Sequence, residues 1–170
     1  MKYIYYLLPL LVLASCGSKK EGVQPEQETL PMQLFSEVNE TSLTTLEAKK
    51  VKAGDSVVVK GKVMGHIEPF VKGRASFIIG DLETITSCEL MGDDDHCETP
   101  WDACCEGKKA LRAGTLNIQV LNEQGRVIKA DLKGKNGLKE LSHVVVKGTV
   151  DSSSTEQATV INATSIQVIK

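Results

Sequence analysis

Four cysteines gather in one short stretch of this chain, residues 88–105. They are Cys88, Cys97, Cys104 and Cys105. In an oxidising compartment such thiols form disulfides, and as thiolates they bind metal ions such as Zn²⁺ or Cu⁺. Eight residues, six residues and none separate them, so the two-residue spacing of common zinc sites is absent. The pattern favours two disulfides, and a metal site that adds His96 as a ligand is the alternative.

Four cysteines allow three pairings. A bond between the neighbours Cys104 and Cys105 would be strained, so we expect each of them to pair with Cys88 or Cys97. The sequence leaves open which of them pairs with which. We expect Trp101 to supply the main apolar contact between this cysteine-rich insert and the rest of the domain.

Candidate catalytic residues are few. The chain has three histidines, His66, His96 and His143, and none lies in a serine-hydrolase or zinc-protease motif. The acidic residues 93–95 lack the spacing of an EF-hand loop, because three consecutive side chains cannot easily face one ion. We therefore expect no catalysis and no cofactor.

The amino-terminal residues predict where the protein lies. Lys2 precedes a short apolar stretch that ends in LASC, residues 13–16, as in a secretory signal peptide. This stretch is far shorter than the ~20 residues of a membrane-spanning helix. It resembles the lipobox of bacterial lipoproteins, which implies cleavage before Cys16 and lipidation of its thiol. We expect an outer-membrane lipoprotein that faces the periplasm, anchored through its acyl chains.

The rest of the chain divides into a tether and one domain. Residues 1–15 are the predicted signal peptide, and residues 16–41, polar and without hydrophobic periodicity, predict a lipidated cysteine followed by a flexible tether. Residues 42–170 predict the domain, which contains the cysteine-rich insert. All three Tyr lie in the signal peptide, so the core must consist mainly of Val, Ile and Leu, a composition that favours strands.

Short strand-like segments recur along the domain, over residues 56–64, 74–80, 115–121, 126–132, 142–150 and 159–169. A short helix or turn is expected within 42–52 and one helical turn within 136–141. The motif VVVKGKV at 57–63 recurs as VVVKGTV at 144–150. It resembles the V-x-V-x-G-x-V pattern of the first and fourth strands of OB-fold proteins. This resemblance implies an all-β, five-stranded Greek-key barrel, whereas an immunoglobulin-like sandwich would need about seven strands.

Residues 97–105, CETPWDACC, resemble a C-P-T-P-W-D-x-C-C element of bacterial lipoproteins of OB-like type. Residues 70–81 are similar to the same group. Glu98 stands where the group has Pro, and Ala103 stands where an aromatic residue is common. The resemblance implies an OB-like fold and a location in the cell envelope, and it implies no particular reaction.

An OB-like barrel presents a ligand face on its second and third strands. The candidate residues of this face are Arg74, Ser76, Ile78, Asn117 and Gln119. Nucleic acid is not expected as a partner, because the net charge is −2 and aromatic residues are scarce. We expect a non-catalytic binding or scaffold lipoprotein with a protein or glycan partner. The alternative is a metal-binding or thiol-redox protein that uses the cysteine-rich insert.

Overall fold

The computed structural model describes residues 27–90, 97–155 and 157–169. Its elements, in chain order, are helix α1 (Thr45–Ala48), strands β1 (Ser56–Lys62) and β2 (Ser76–Gly80), a first 3₁₀ turn (Cys88–Leu90), helix α2 (Lys108–Gly114), strand β3 (Thr115–Gln119), a second 3₁₀ turn (Lys135–Gly137), and strands β4 (His143–Val150) and β5 (Val160–Ile169). The predicted signal peptide, Cys16, the acidic residues 93–95 and His96 lie outside the described residues. Within the described part of the chain, no helix has the length and apolar character needed to cross a membrane.

The five strands close into a barrel in the order β1-β2-β3-β5-β4. Strands β3 and β5 pair in parallel, and all other neighbours are antiparallel. The predicted small, all-β, OB-like barrel is therefore confirmed. The segment 126–132 does not add a strand to it, since Val127 makes only an isolated bridge with Leu121.

The core fills the barrel with alternate residues of each strand. Phe77 and Ile79 of β2 face inward and are fully buried, as are Leu116 and Ile118 of β3. The residues between them are only half-buried, as the two-residue period of a strand requires. The ring of Phe70 stacks on that of Phe77 with centroids 5.7 Å apart.

The glycine of the repeated motif allows β4 and β5 to approach closely. A register shift lies between Lys147 and Gly148, opposite β5. A Cβ atom on Gly148 would lie 2.2 Å from the carbonyl oxygen of Asn162, a distance that real Cβ atoms do not reach. Gly148 therefore marks the bulge at which the barrel wall bends.

Residues 27–41, expected to belong to the tether, lie on the barrel instead. Leu34 is fully buried in the core, and its carbonyl oxygen accepts a hydrogen bond from Ile166 N at 2.6 Å. Near the start of the described chain, Glu28 N donates to Lys129 O at 3.0 Å. The folded domain thus includes residues from 28 onward, and the predicted boundary at 42 is too late. One buried leucine in a polar segment produces no hydrophobic period, so the pattern gave no sign of it.

Helix α1 begins with a capping box, in which Thr44 and Glu47 each bind the backbone N–H of the other. This is the short helix expected within 42–52. The 3₁₀ turn Lys135–Gly137 starts one residue before the segment expected to form a helical turn. Helix α2 was not predicted, because it is a single short stretch of helix formers beside a cysteine-rich insert.

Candidate functional site

Three of the four cysteines in the insert converge on one point. The Sγ atoms of Cys88, Cys97 and Cys104 all lie within 4.8 Å of one another, and those of Cys88 and Cys104 are 3.4 Å apart. Cys88 is buried, Cys97 is half-buried and Cys104 is exposed. We call these three residues the thiol cluster.

A tight turn over Thr99–Asp102 brings the two ends of the cluster together. Asp102 N donates to Thr99 O at 2.8 Å, with Pro100 at the second position of the turn, where its fixed φ angle suits this geometry. The chain then runs beside the first 3₁₀ turn, since Cys88 N donates to Asp102 O at 2.8 Å and Glu89 N donates to Pro100 O at 2.9 Å. Residues 99–102, Thr-Pro-Trp-Asp, therefore form the turn that places Cys97 and Cys104 beside Cys88.

A buried lysine fastens the first 3₁₀ turn to the barrel. Lys62, at the end of β1, is only 6% exposed. Its ammonium group forms an ion pair with the carboxylate of Glu89 and lies 3.3 Å from Ser87 Oγ. These two partners flank Cys88 in the sequence. The alternation of β1 predicts an outward-facing Lys62, so the sequence contained no signal for this contact.

A small apolar cluster packs the insert against the barrel and helix α2. It consists of Met64, Ile85 and Ala103, with Leu111 of α2 packed against it. Trp101, which we expected to make the main apolar contact, is only half-buried, and its indole N–H donates to Ile67 O at 2.9 Å. The fully buried Ala103 makes the apolar contact of the insert instead, so the prediction for Trp101 is wrong.

The four predicted disulfide cysteines are free thiols in the structure. The 3.4 Å between the sulfur atoms of Cys88 and Cys104 exceeds the roughly 2.05 Å of a disulfide bond. Cys104 faces Cys88, one of the pairings that the sequence left open, but Cys97 joins the same group instead of forming a second pair with Cys105. Cys104 and Cys105 are consecutive residues of a turn closed by Glu106 N and Ala103 O. Of these two, only Cys104 belongs to the cluster.

The three thiols differ in acidity. Burial raises the pKa of the Cys88 thiol to about 11. Hydrogen bonding with Thr99, whose Oγ1 and carbonyl oxygen each lie 3.5 Å from the sulfur, lowers the pKa of Cys97. The contact with Cys88 lowers the pKa of Cys104, but the thiol of Cys105 and partial burial outweigh it, so that this pKa is raised. As free thiols, Cys88 and Cys104 are therefore protonated at neutral pH.

The donor set suits a thiophilic metal ion. Sulfur ligands at about 2.3 Å from a tetrahedral zinc ion lie about 3.8 Å from one another. The sulfur atoms of the cluster all lie within 4.8 Å of each other, and those of Cys88 and Cys104 are 3.4 Å apart, so shifts of about 1 Å or less bring every pair to that spacing. Thiolates are also preferred ligands of Cu⁺. A bound cation would displace the thiol protons and so overcome the raised pKa of the buried Cys88.

Four of the five residues proposed for a ligand face lie together, and two of their polar side chains, those of Ser76 and Gln119, form hydrogen bonds within the protein. Ser76 pairs with Gln119 and Ile78 pairs with Asn117 across β2 and β3, so that these four share one half-buried outer face. Ser76 Oγ donates to Ile118 O at 3.0 Å, and Gln119 Nε2 donates to Asn162 Oδ1 at 2.8 Å.

Arg74 lies apart from this face. It precedes β2, is exposed, and lines an open cavity of about 360 Å³ together with Glu28 and Arg126. The structure thus unites four of the five candidate residues and separates the fifth from them.

The described histidines do not join the thiol cluster. His66 is exposed, and its Nδ1 lies 2.9 Å from the carbonyl oxygen of Glu68 and accepts a hydrogen bond from Glu68 N. His143 is exposed at the start of β4. Neither belongs to a metal-ligand group among the described residues.

Comparisons with protein-family models, curated proteins and solved structures each found no match to this chain. The chemistry of the described side chains carries the functional argument. Among them, the thiol cluster is the group whose metal-binding atoms converge.

Proposed function

We propose that this protein is a lipid-anchored, non-catalytic component of the bacterial cell envelope that binds a thiophilic metal ion. The ligands are the thiolates of Cys88, Cys97 and Cys104, and the ion is Zn²⁺ or Cu⁺. The observation that carries the proposal is the convergence of three sulfur atoms within 4.8 Å of one another.

The surroundings of the cluster support a metal site. Backbone hydrogen bonds from Cys88 and Glu89 hold the two halves of the insert together, and the Lys62–Glu89 ion pair ties the insert to β1. Ligands held in place by such contacts lose little conformational entropy when an ion binds.

The lipid anchor rests on the sequence of residues 13–16. Lipidation of Cys16 would hold the domain at the membrane, and we propose the periplasmic face of the outer membrane as its location. The test is metabolic labelling with a radioactive fatty acid. The wild-type chain should be labelled and the Cys16→Ser variant should not. An unlabelled wild-type protein would contradict the anchor.

A protein or glycan ligand on the face of β2 and β3 stays a prediction. Because the side chains of Ser76 and Gln119 form hydrogen bonds within the barrel, a ligand on that face would have to compete with those bonds. A Cys88–Cys104 disulfide is the second candidate state of the insert, because the two sulfur atoms are neighbours. Nucleic acid remains unexpected as a partner.

Metal binding is tested on the full chain, purified in detergent and kept reduced. Zn²⁺ and Cu⁺ are titrated separately against chromophoric chelators of known affinity. We expect one equivalent of one of these ions to bind, and the Cys88→Ser variant to bind at least about 100-fold more weakly. The Cys105→Ser variant is the matched control, since it removes a neighbouring thiol that lies outside the cluster.

Mass spectrometry after alkylation, with no reductant added at any step, distinguishes a metal site from a Cys88–Cys104 disulfide. Three alkylatable cluster thiols, protected when the metal is bound, support the site. A stable bridge between Cys88 and Cys104 in protein taken directly from the envelope would overturn it, as would the absence of stoichiometric binding of either ion to the reduced chain.

A further inference from the structure

We infer that the bound ion leaves the site through Cys104, with Cys105 as the ligand that receives it first, and passes to a protein that presents an exposed pair of thiols. This inference rests on the proposed metal site and adds a direction of transfer and a class of partner. It is carried by the arrangement of the four thiols between the protein interior and its surface.

The cluster has a closed side and an open side. Cys88 is 5% exposed, and its backbone N–H is bound to Asp102 O. Cys97 is half-buried, and its sulfur contacts Thr99. Cys104, in contrast, is exposed. Among the described cluster residues, Cys104 is therefore the ligand most open to an incoming group, while Cys88 and Cys97 continue to hold the ion.

Cys105 extends the open side of the cluster. It follows Cys104 directly in the turn closed by Glu106 N and Ala103 O, and it is exposed. A thiol in this position has a high effective concentration at the ion without being one of the three resting ligands. Its thiol already interacts with that of Cys104, and rotation of its side chain would bring it to the ion in place of Cys104.

The transfer is a ligand exchange and leaves the oxidation state of the ion unchanged. The thiol of Cys105 gives its proton to water as its sulfur binds the ion, and the sulfur of Cys104 takes up a proton as its bond to the ion breaks. The two thiols of the acceptor then replace two of the three protein sulfurs in the same way, each giving its proton to water while the displaced protein thiolate takes one up. The last protein thiolate takes up a proton as it leaves, and a water molecule takes its place on the ion. Each exchange of one thiol for another conserves the number of metal–sulfur bonds, which keeps the barrier low.

The experiment uses the full chain in detergent, loaded with the ion that it binds, and 2,3-dimercaptosuccinate as the dithiol acceptor. Stopped-flow mixing follows the emission of Trp101, the single tryptophan of the chain, which lies between Cys97 and Cys104 in the insert. We expect the transfer rate to increase with acceptor concentration. In the Cys105→Ser variant the rate should fall about tenfold, while the equilibrium affinity for the ion stays unchanged.

Lys109→Ser is the matched control, because Lys109 is exposed on the adjacent helix α2 and should leave the rate unchanged. Equal transfer rates in wild type and Cys105→Ser would overturn the route while leaving the metal site intact. A rate independent of acceptor concentration would also overturn it, since the ion would then leave before the acceptor arrives. A wild-type chain that binds no metal would overturn both proposals. Failure of the metal site is therefore distinguished from failure of the transfer route alone.

Discussion

Lys62, a buried residue, forms an ion pair with the more exposed Glu89, and this contact joins the barrel to the insert that carries the thiol cluster. The side chain of Lys62 is 8% exposed and that of Glu89 is 28% exposed. Glu89 lies in the same 3₁₀ turn as Cys88, so the position of a cluster sulfur depends on a residue of strand β1. The contact links the stability of the insert to the geometry of the site.

Replacement of Lys62 by methionine should therefore affect both properties. The Lys62→Met variant keeps the buried aliphatic stem but leaves the carboxylate of Glu89 without its partner. We expect a loss of about 1–3 kcal/mol in the free energy of unfolding and roughly tenfold weaker metal binding. Urea denaturation and chelator competition measure the two effects. Lys60→Met, at an exposed position of the same strand, should change neither, and equal effects of both variants would refute a specific role for Lys62.

Asp81 should make the stability of the domain depend on pH in the acid range. Burial raises its pKa, but hydrogen bonds from Thr45, Glu83 and Thr84 outweigh burial and lower it below its ordinary value. The stabilisation is therefore present above the pKa of the unfolded state, about 3.9, and is lost as the pH falls through the lower folded value.

The Asp81→Asn variant tests this relationship. The amide oxygen of the variant can still accept the hydrogen bonds that Glu83 N and Thr84 N donate to Asp81 Oδ1. Its NH₂ group then faces the N–H and hydroxyl of Thr45, which donate to Asp81 Oδ2 at 3.2 and 2.8 Å. We expect a loss of about 2–4 kcal/mol at pH 7, shrinking as the pH falls below about 4. Urea denaturation at several pH values measures it. Asp55→Asn, at an exposed position, is the control, and a loss for Asp81→Asn that is independent of pH would contradict the argument.

The barrel could be predicted because each of its strands carries its own signal. Three consecutive valines in each of β1 and β4 mark these segments as strands, and the glycine in each copy of the repeated motif marks a point of close packing. The segment 126–132 has the same local pattern and forms no strand. Its backbone contacts the strands only through isolated hydrogen bonds, such as the one from Ala75 N to Ile128 O. Whether a segment pairs fully with a strand is decided by tertiary contacts, which local sequence does not show.

The site could be predicted only as a set of residue types. The sequence identified the cysteines, but the convergence of Cys97 with Cys88 and Cys104 depends on the turn over Thr99–Asp102 and on two hydrogen bonds between segments of the insert. Lys62 and Leu34 were missed for a related reason. Leu34 is a buried apolar residue in a polar segment, and Lys62 is a buried charged residue at an outward position of its strand. Hydrophobic periodicity detects only faces that several residues form together.

Leu34 provides a direct test of where the domain begins. It is fully buried, although it lies in a segment that looks like a tether, whereas Met32 two residues earlier is fully exposed. The Leu34→Ala variant should lose about 2–5 kcal/mol in the free energy of unfolding, the range for a leucine removed from a core. Met32→Ala should leave stability unchanged. If both variants melt at the wild-type temperature, residues 27–41 do not contribute to the fold.

Gly148 provides the corresponding test of the barrel wall. A Cβ atom there would meet the carbonyl oxygen of Asn162 at 2.2 Å, and because that oxygen belongs to the backbone of β5 it cannot move aside as a side chain can. The Gly148→Ala variant should therefore lose about 3 kcal/mol in urea denaturation, at the upper end of the usual cost of overpacking. Gly107→Ala is the matched control, since its φ of −68° suits alanine and no atom lies within 4 Å of the added carbon. A Gly148→Ala protein as stable as Gly107→Ala would mean that β4 and β5 do not approach each other closely at the bulge.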